Sequence, residues 1–137
     1  MKIPMIKSFK KSTVLKTPLD RMIKYVVDIL SERKNEKIHA IIPGFDSPQR
    51  VIRKSTSETY IPEVTALKNN QFRIFAVETK ETLEQGEPEG RWKLFAEFAQ
   101  QNAALFYIVF PAGQVAIVKN KLEEFNIDAN LWQAARP

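Results

Sequence analysis

Residues 74–80, "IFAVETK", begin as an apolar run and finish in an acid, a hydroxyl and a base. Alternate residues of a strand share a face. A strand carried to the end of this stretch therefore sets Ile74, Ala76, Glu78 and Lys80 on one side, and Phe75, Val77 and Thr79 on the other. An apolar stripe then runs into a charged pair. Upstream lies a second strand candidate, "TYIPEVTAL" (59–67), separated from "QFRIFAVETKE" (71–81) by "KNN", whose asparagines suit a tight turn. The two runs are expected to pair antiparallel, which lets Glu63 approach Glu78 across the hairpin.

Outward from the hairpin the pattern is mixed. In "KTPLDRMIKYVVDILSERKN" (16–35), Thr17 suits a helix cap, Pro18 the first turn and Asp20 the positive helix end. Leu19, Met22, Ile23, Val26, Val27 and Leu30 recur at helical spacing, which predicts a helix over 18–34. "KIHAIIPGF" (37–45) is short, β-branched and closed by Pro43 and Gly44, as a strand ending in a turn is. Within it His39 reads as a hydrogen-bonded sheet histidine, and Asp46 just beyond as part of a turn. The polar stretch 47–58 is a loop or carries a short edge strand through Arg50, Val51 and Ile52. "TLEQGEPEG" (82–90) gathers acids with two glycines and a proline and is expected to be an exposed, flexible loop.

From Arg91 to about Asn102 a helix is predicted, its apolar face holding Trp92, Phe95, Ala96, Phe98 and Ala99. "ALFYIVFP" (104–111) is nearly unbroken in its apolarity, as is a strand covered on both faces. The remainder, from Gly113, reads as a short strand or turn leading into one or two amphipathic helices that bury Leu122, Phe125, Leu131 and Trp132. The resulting order, helix, three strands, helix, strand, helix, predicts an α/β layer structure around a mixed sheet.

With 137 residues the chain suits one domain. It lacks a run of roughly 20 apolar residues that would span a bilayer and a signal-peptide pattern, so a soluble, cytoplasmic protein is expected. Cysteine is absent and histidine occurs once, which excludes thiolate metal sites and argues against imidazole zinc; any metal is held by oxygen. The net charge of +5 is unevenly distributed: Lys2, Lys7, Lys10, Lys11 and Lys16 stand in the first 16 residues with no acid. Removing those five leaves 16 Lys and Arg against 16 Asp and Glu. The sequence thus divides into a basic arm (1–16) and a neutral body (17–137), and such an arm suits contact with nucleic-acid phosphates.

Two carboxylates converging in a partly buried place repel unless a cation or proton is shared between them. Divalent magnesium accepts such carboxylates with a backbone carbonyl and waters. "IPEV" (61–64) followed by "VETK" (77–80) resembles the PD-(D/E)xK nuclease superfamily, and most closely its restriction-endonuclease-like and Holliday-junction-resolvase-like members. The resemblance covers about 18–118. It implies a restriction-endonuclease-like core and a DNA endonuclease in which Glu63, Glu78 and the Thr79 carbonyl hold Mg²⁺ or Mn²⁺. Lys80 would assist the attacking water, so that Glu63, Glu78 and Lys80 form the catalytic set. Lys7, Lys10, Lys11, Lys16, Arg50, Arg53 and Lys54 are candidate DNA contacts, with Tyr60 or Trp92 available to stack on bases, although Trp92 also fits the core. A homodimer built on "NLWQAARP", or a protein partner supplying specificity, is a further expectation. The chain departs from the family at Glu63, where aspartate is usual; the extra methylene moves the carboxylate by about a bond length, and ~1 Å misplacement costs roughly 100-fold in rate. A second expectation is therefore a nuclease-fold module that binds DNA or a protein without turnover, and a third is a subunit-interaction domain.

Overall fold

In the computed structural model, which describes residues 15–135, Thr17 opens the first helix, α1 (Pro18–Glu32). Its hydroxyl accepts from the Asp20 amide while the Asp20 carboxylate accepts from the Thr17 amide, a reciprocal box that satisfies two otherwise unpaired donors. The helix buries Met22, Ile23, Val26, Val27 and Leu30 as its spacing requires. β1 (Glu36–Ala40) follows after a short link.

The next strands depart from expectation in one respect. The polar 47–58 stretch supplies β2 (Val51–Arg53), which pairs antiparallel with β3 (Glu58–Tyr60) as a separate two-stranded sheet. The single strand expected over 59–67 is thereby cut in two, and Ile61, Pro62 and Glu63 form the join. Proline has no amide proton to give to a ladder, so the break falls where the chain can spare one.

β4 (Val64–Lys68) and β5 (Gln71–Val77) form the expected hairpin, with Val64 opposite Phe75. Asn69 and Asn70 turn it with φ of 52° and 67°, the left-handed pair that a two-residue hairpin loop needs. Beyond β5 the expected flexible loop is instead helical: α2 (Lys80–Gln85) is followed by α3 (Glu89–Gln101). β6 (Leu105–Pro111) then lies parallel to β5.

After α4 (Val115–Phe125), the second C-terminal helix is replaced by a strand, β7 (Asn130–Ala134), parallel to β6. Leu131 and Trp132 alternate there at strand period, a spacing too short to separate strand from helix in sequence. The main sheet therefore runs β1-β4-β5-β6-β7, antiparallel through β5 and parallel beyond it.

The fold is a mixed α/β layer structure with helices on both faces of this sheet. Phe75, Val77, Val64 and Ala66 pack under α1, whereas Ile74, Ala76 and Ile108 pack under α3, with Val118 of α4 in the same core. Among the described residues no helix is long and apolar enough to cross a membrane.

Candidate functional site

The carboxyl end of β5 lies beside the amino end of β4 and level with the carboxyl ends of β1, β6 and β7. The parallel and antiparallel halves of the sheet share β5. Open α/β sheets present their ligand crevices outside the carboxyl ends of strands. Glu63 and Glu78 both lie at this end.

β5 stops at Val77. The Thr79 hydroxyl accepts from the Thr82 amide and the Thr82 hydroxyl accepts from the Thr79 amide, so the chain turns into α2 at once. Lys80 is the first residue of that helix and is exposed, while Glu78 has no exposed surface. The expectation that Glu78 and Lys80 share a strand face is thus overturned by a helix cap, "TKET" (79–82), whose spacing was available in the sequence.

Every oxygen of the buried Glu78 carboxylate has a partner. The Thr82 hydroxyl donates to Oε1 at 2.6 Å, and Trp92 Nε1 donates to Oε2 at 3.0 Å. Arg91 completes the set with its guanidinium 3.1 Å from Oε2. Trp92 is core, as one reading expected, but its indole N–H is also spent on this acid.

Glu63, at the join before β4, accepts from the Val77 amide through Oε1 at 2.8 Å, which ties the hairpin's open end together. Its Oε2 is 4.0 Å from Arg91, so one guanidinium serves both acids. Burial pushes the Glu63 carboxyl up to about 7; Arg91 opposes this and the charge of Glu78 adds to it. Near neutral pH the Glu63 carboxyl is therefore only partly charged.

Arg91 was not among the sequence candidates. It sits at the start of α3, thirteen residues after Glu78, and only the fold brings it back. The signal that pointed toward it was physical: two converging carboxylates need a cation.

This donor set does not fit a divalent ion. Glu78 is fully hydrogen-bonded inside the protein, and a guanidinium stands where its charge meets that of Glu63. The Thr79 carbonyl, the expected third ligand, accepts the Leu83 amide at 3.0 Å as part of α2. Among the described residues no three His, Cys, Asp or Glu side chains gather as a metal-binding group. Asp20 caps α1, and Asp28 pairs with Lys24 at 2.7 Å.

No family model matches the chain, and no curated protein or solved structure is significantly similar to it.

The candidate nucleic-acid contacts divide. Lys7, Lys10 and Lys11 lie outside the described residues. Lys16, Arg50 and Lys54 are exposed. Arg53 is not free for phosphate: it donates to Glu97 at 3.0 and 2.6 Å and pairs with Glu58. Tyr60 is committed to packing, its ring lying against Gly90, where an added Cβ would stand 2.8 Å from the hydroxyl. His39 has Nδ1 at 3.4 Å from the Ser47 carbonyl, in keeping with a structural role.

Lys16 marks where the basic arm joins the fold. α1 connects to β1 by a short link and so runs antiparallel to it, and the Tyr25 hydroxyl accepts from the Ala135 amide, beyond the carboxyl end of β7, at 3.2 Å. The start of α1 therefore lies at the same end of the sheet as the two acids.

Proposed function

We propose that this chain is a nuclease-fold module of the PD-(D/E)xK type that binds nucleic acid and whose acidic pair is held closed by Arg91. The single observation that carries the second half is the guanidinium shared by Glu63 and Glu78, 4.0 and 3.1 Å away. The first half is supported by element order. An opening helix, an antiparallel three-strand set with the β2–β3 hairpin inserted, a crossing helix preceded by the short α2, and a parallel strand come in that order, with the acids at the strand ends. Nucleic-acid binding is supported by the acid-free run of lysines that reaches the fold at that end.

In this reading the carboxylates are structural. Glu63 fastens the hairpin, Glu78 anchors α2 and α3 to β5, and Arg91 neutralises them. The binding energy comes from lysines outside the pair, so it is electrostatic and sensitive to salt.

The convergence of Glu63 and Glu78 favours one second reading, a metal-dependent endonuclease in which Arg91 gives way when DNA and metal arrive. The test is a panel of labelled linear, single-stranded, flapped and four-way DNAs, assayed for binding at several salt concentrations and for cleavage with Mg²⁺, Mn²⁺ or chelator. Salt-sensitive binding without cleavage is the expected result. Chelator-sensitive cleavage that disappears in Glu78→Ala and Lys80→Ala would overturn the closed-site reading in favour of the enzyme.

A further inference from the structure

A cavity on the α1 face of the sheet, toward the end opposite Glu63 and Glu78, has chemistry that neither reading uses. It has a volume of about 390 Å³, within the range of small-molecule sites, and lies between the last turn of α1 and strands β5, β6 and β7. Arg33, Lys68 and Arg73 converge on it, and no acid lines it. None of the three cations forms an ion pair among the described residues.

The apolar wall is aromatic. Phe75 and Tyr107 stack with centroids 5.0 Å apart, Trp132 meets Phe75 edge to face at 6.0 Å, and the Arg73 guanidinium lies 5.9 Å from the centre of the Tyr107 ring.

Two polar atoms sharpen the requirement. Arg73 Nε is buried with no partner in the protein, and so is Asn35 Oδ1, whose sister Nδ2 is spent on the Leu30 carbonyl at 3.1 Å. Both residues line this one cavity. Three side-chain atoms among the described residues are orphaned in this way, and these are two of them. A buried donor or acceptor left unpaired costs ~1–3 kcal/mol, and three uncompensated cations sharing a cleft repel one another. An anion that also brings a hydrogen-bond donor relieves all three costs at once.

We infer that this cavity binds a small anion bearing an aromatic ring and a hydrogen-bond donor, the chemistry of a nucleoside monophosphate. The anionic group sits among Arg33, Lys68 and Arg73 and accepts from Arg73 Nε. The ring lies along Tyr107 and Trp132, and an amine or hydroxyl of the ligand donates to Asn35 Oδ1. The site is separated from Glu63 and Glu78 by the sheet, since Arg73 shares the α1 face of β5 with Phe75 and Val77, whereas Glu78 packs against Trp92 of α3. The inference is therefore independent of the nuclease-fold reading.

The experiment is calorimetric titration of the full chain with the common nucleoside 5′-monophosphates, with inorganic phosphate and with indole-3-acetate as an aromatic carboxylate. Each is repeated on Arg73→Lys, on the surface double variant Arg33→Gln/Lys68→Gln and on Lys119→Gln, an exposed position of α4 on the other face of the sheet. Saturable binding of at least one monophosphate is expected, weakened at least about tenfold in the first two variants and for inorganic phosphate, and unchanged in Lys119→Gln. Tighter binding of indole-3-acetate with the same variant dependence would support the site and identify its ligand as an aromatic carboxylate. No saturable binding of any aromatic anion at millimolar concentration would overturn the inference. So would equal binding of inorganic phosphate, or binding indifferent to both cavity variants. The double variant changes side chains at the rim, so folding does not confound the result.

Discussion

Arg91 decides what a buried acid and its half-buried neighbour can be. Removing one partner of a buried ion pair leaves the other charge stranded, at a cost of about 3–5 kcal/mol. Arg91→Met is therefore expected to destabilise the protein by about 3 kcal/mol or more, measured by chemical denaturation at pH 8, and Glu78→Gln introduced beside it to restore part of the loss. Trp92→Phe, which stays aromatic but removes the five-membered ring and its donor to Glu78, should cost at least about 1–3 kcal/mol. A different signature belongs to Glu63. Its carboxyl is raised from 4.5 to about 7 in the folded protein, so folding favours the protonated form. Its contribution is fully present below pH 4.5 and is lost as pH rises through about 7, at ~1.4 kcal/mol per pH unit across that window. Glu63→Gln keeps an acceptor for the Val77 amide and cannot ionise. The variant should lose this slope and be more stable than wild type at pH 8. A wild-type stability that does not fall between pH 5 and 8 relative to Glu63→Gln would contradict the burial argument. Both acids were legible in the sequence, because Pro-Glu before one apolar run and Glu after the next mark strand ends. Their cation was not, because Arg91 reaches them only through the packing of α3.

The shortest helix carries the largest share of the site's geometry. α2 has six residues, too few to persist on its own propensity, and is held by its cap and by Glu78. Thr82 is the joint: its hydroxyl accepts from the Thr79 amide and donates to Glu78. Thr82→Val removes both bonds at constant shape and is expected to cost about 2 kcal/mol, whereas Thr82→Ser should retain most of the stability. Hydrogen exchange at the Leu83 amide, which bonds the Thr79 carbonyl, reports the same loss locally; unchanged protection there in Thr82→Val would refute the role. At this scale the sequence was informative wherever a period ran long. α1, α3 and β6 fall within a few residues of their predicted bounds because the helices repeat their period over several turns and β6 is an unbroken apolar run of strand length. It misled where a few residues had to choose. "ETK" has the pattern of a strand continuing where Thr79 instead caps a helix, the acid and glycine-rich 82–90 stretch hides most of one helix and the start of another, and Leu131 and Trp132 belong to β7 because the β6 edge is open to pair with them.

For the molecule as a whole, charge and fold meet at one end of the sheet. The body is formally neutral, so the +5 arises from the amino-terminal lysines, four of which precede the described residues. Lys16 and the start of α1 lie at the end of the sheet that holds Glu63 and Glu78. If the arm supplies phosphate contacts, a chain beginning at residue 15 keeps α1, its cap and the whole sheet while losing up to four of those contacts. Each phosphate contact contributes about −0.9 to the slope of log K against log salt on duplex DNA. The truncated protein is thus expected to unfold at nearly the same denaturant midpoint, to bind duplex DNA more weakly at low salt and to show a slope shallower by up to about 3.6. Anisotropy titrations at 50 to 200 mM salt, a range over which such slopes are well resolved, measure this directly. An unchanged slope would move the phosphate contacts onto the body, where Arg50 and Lys54 are exposed and Arg53 is held by Glu58 and Glu97, and charge reversal at Arg50 and Lys54 would then have to abolish binding instead.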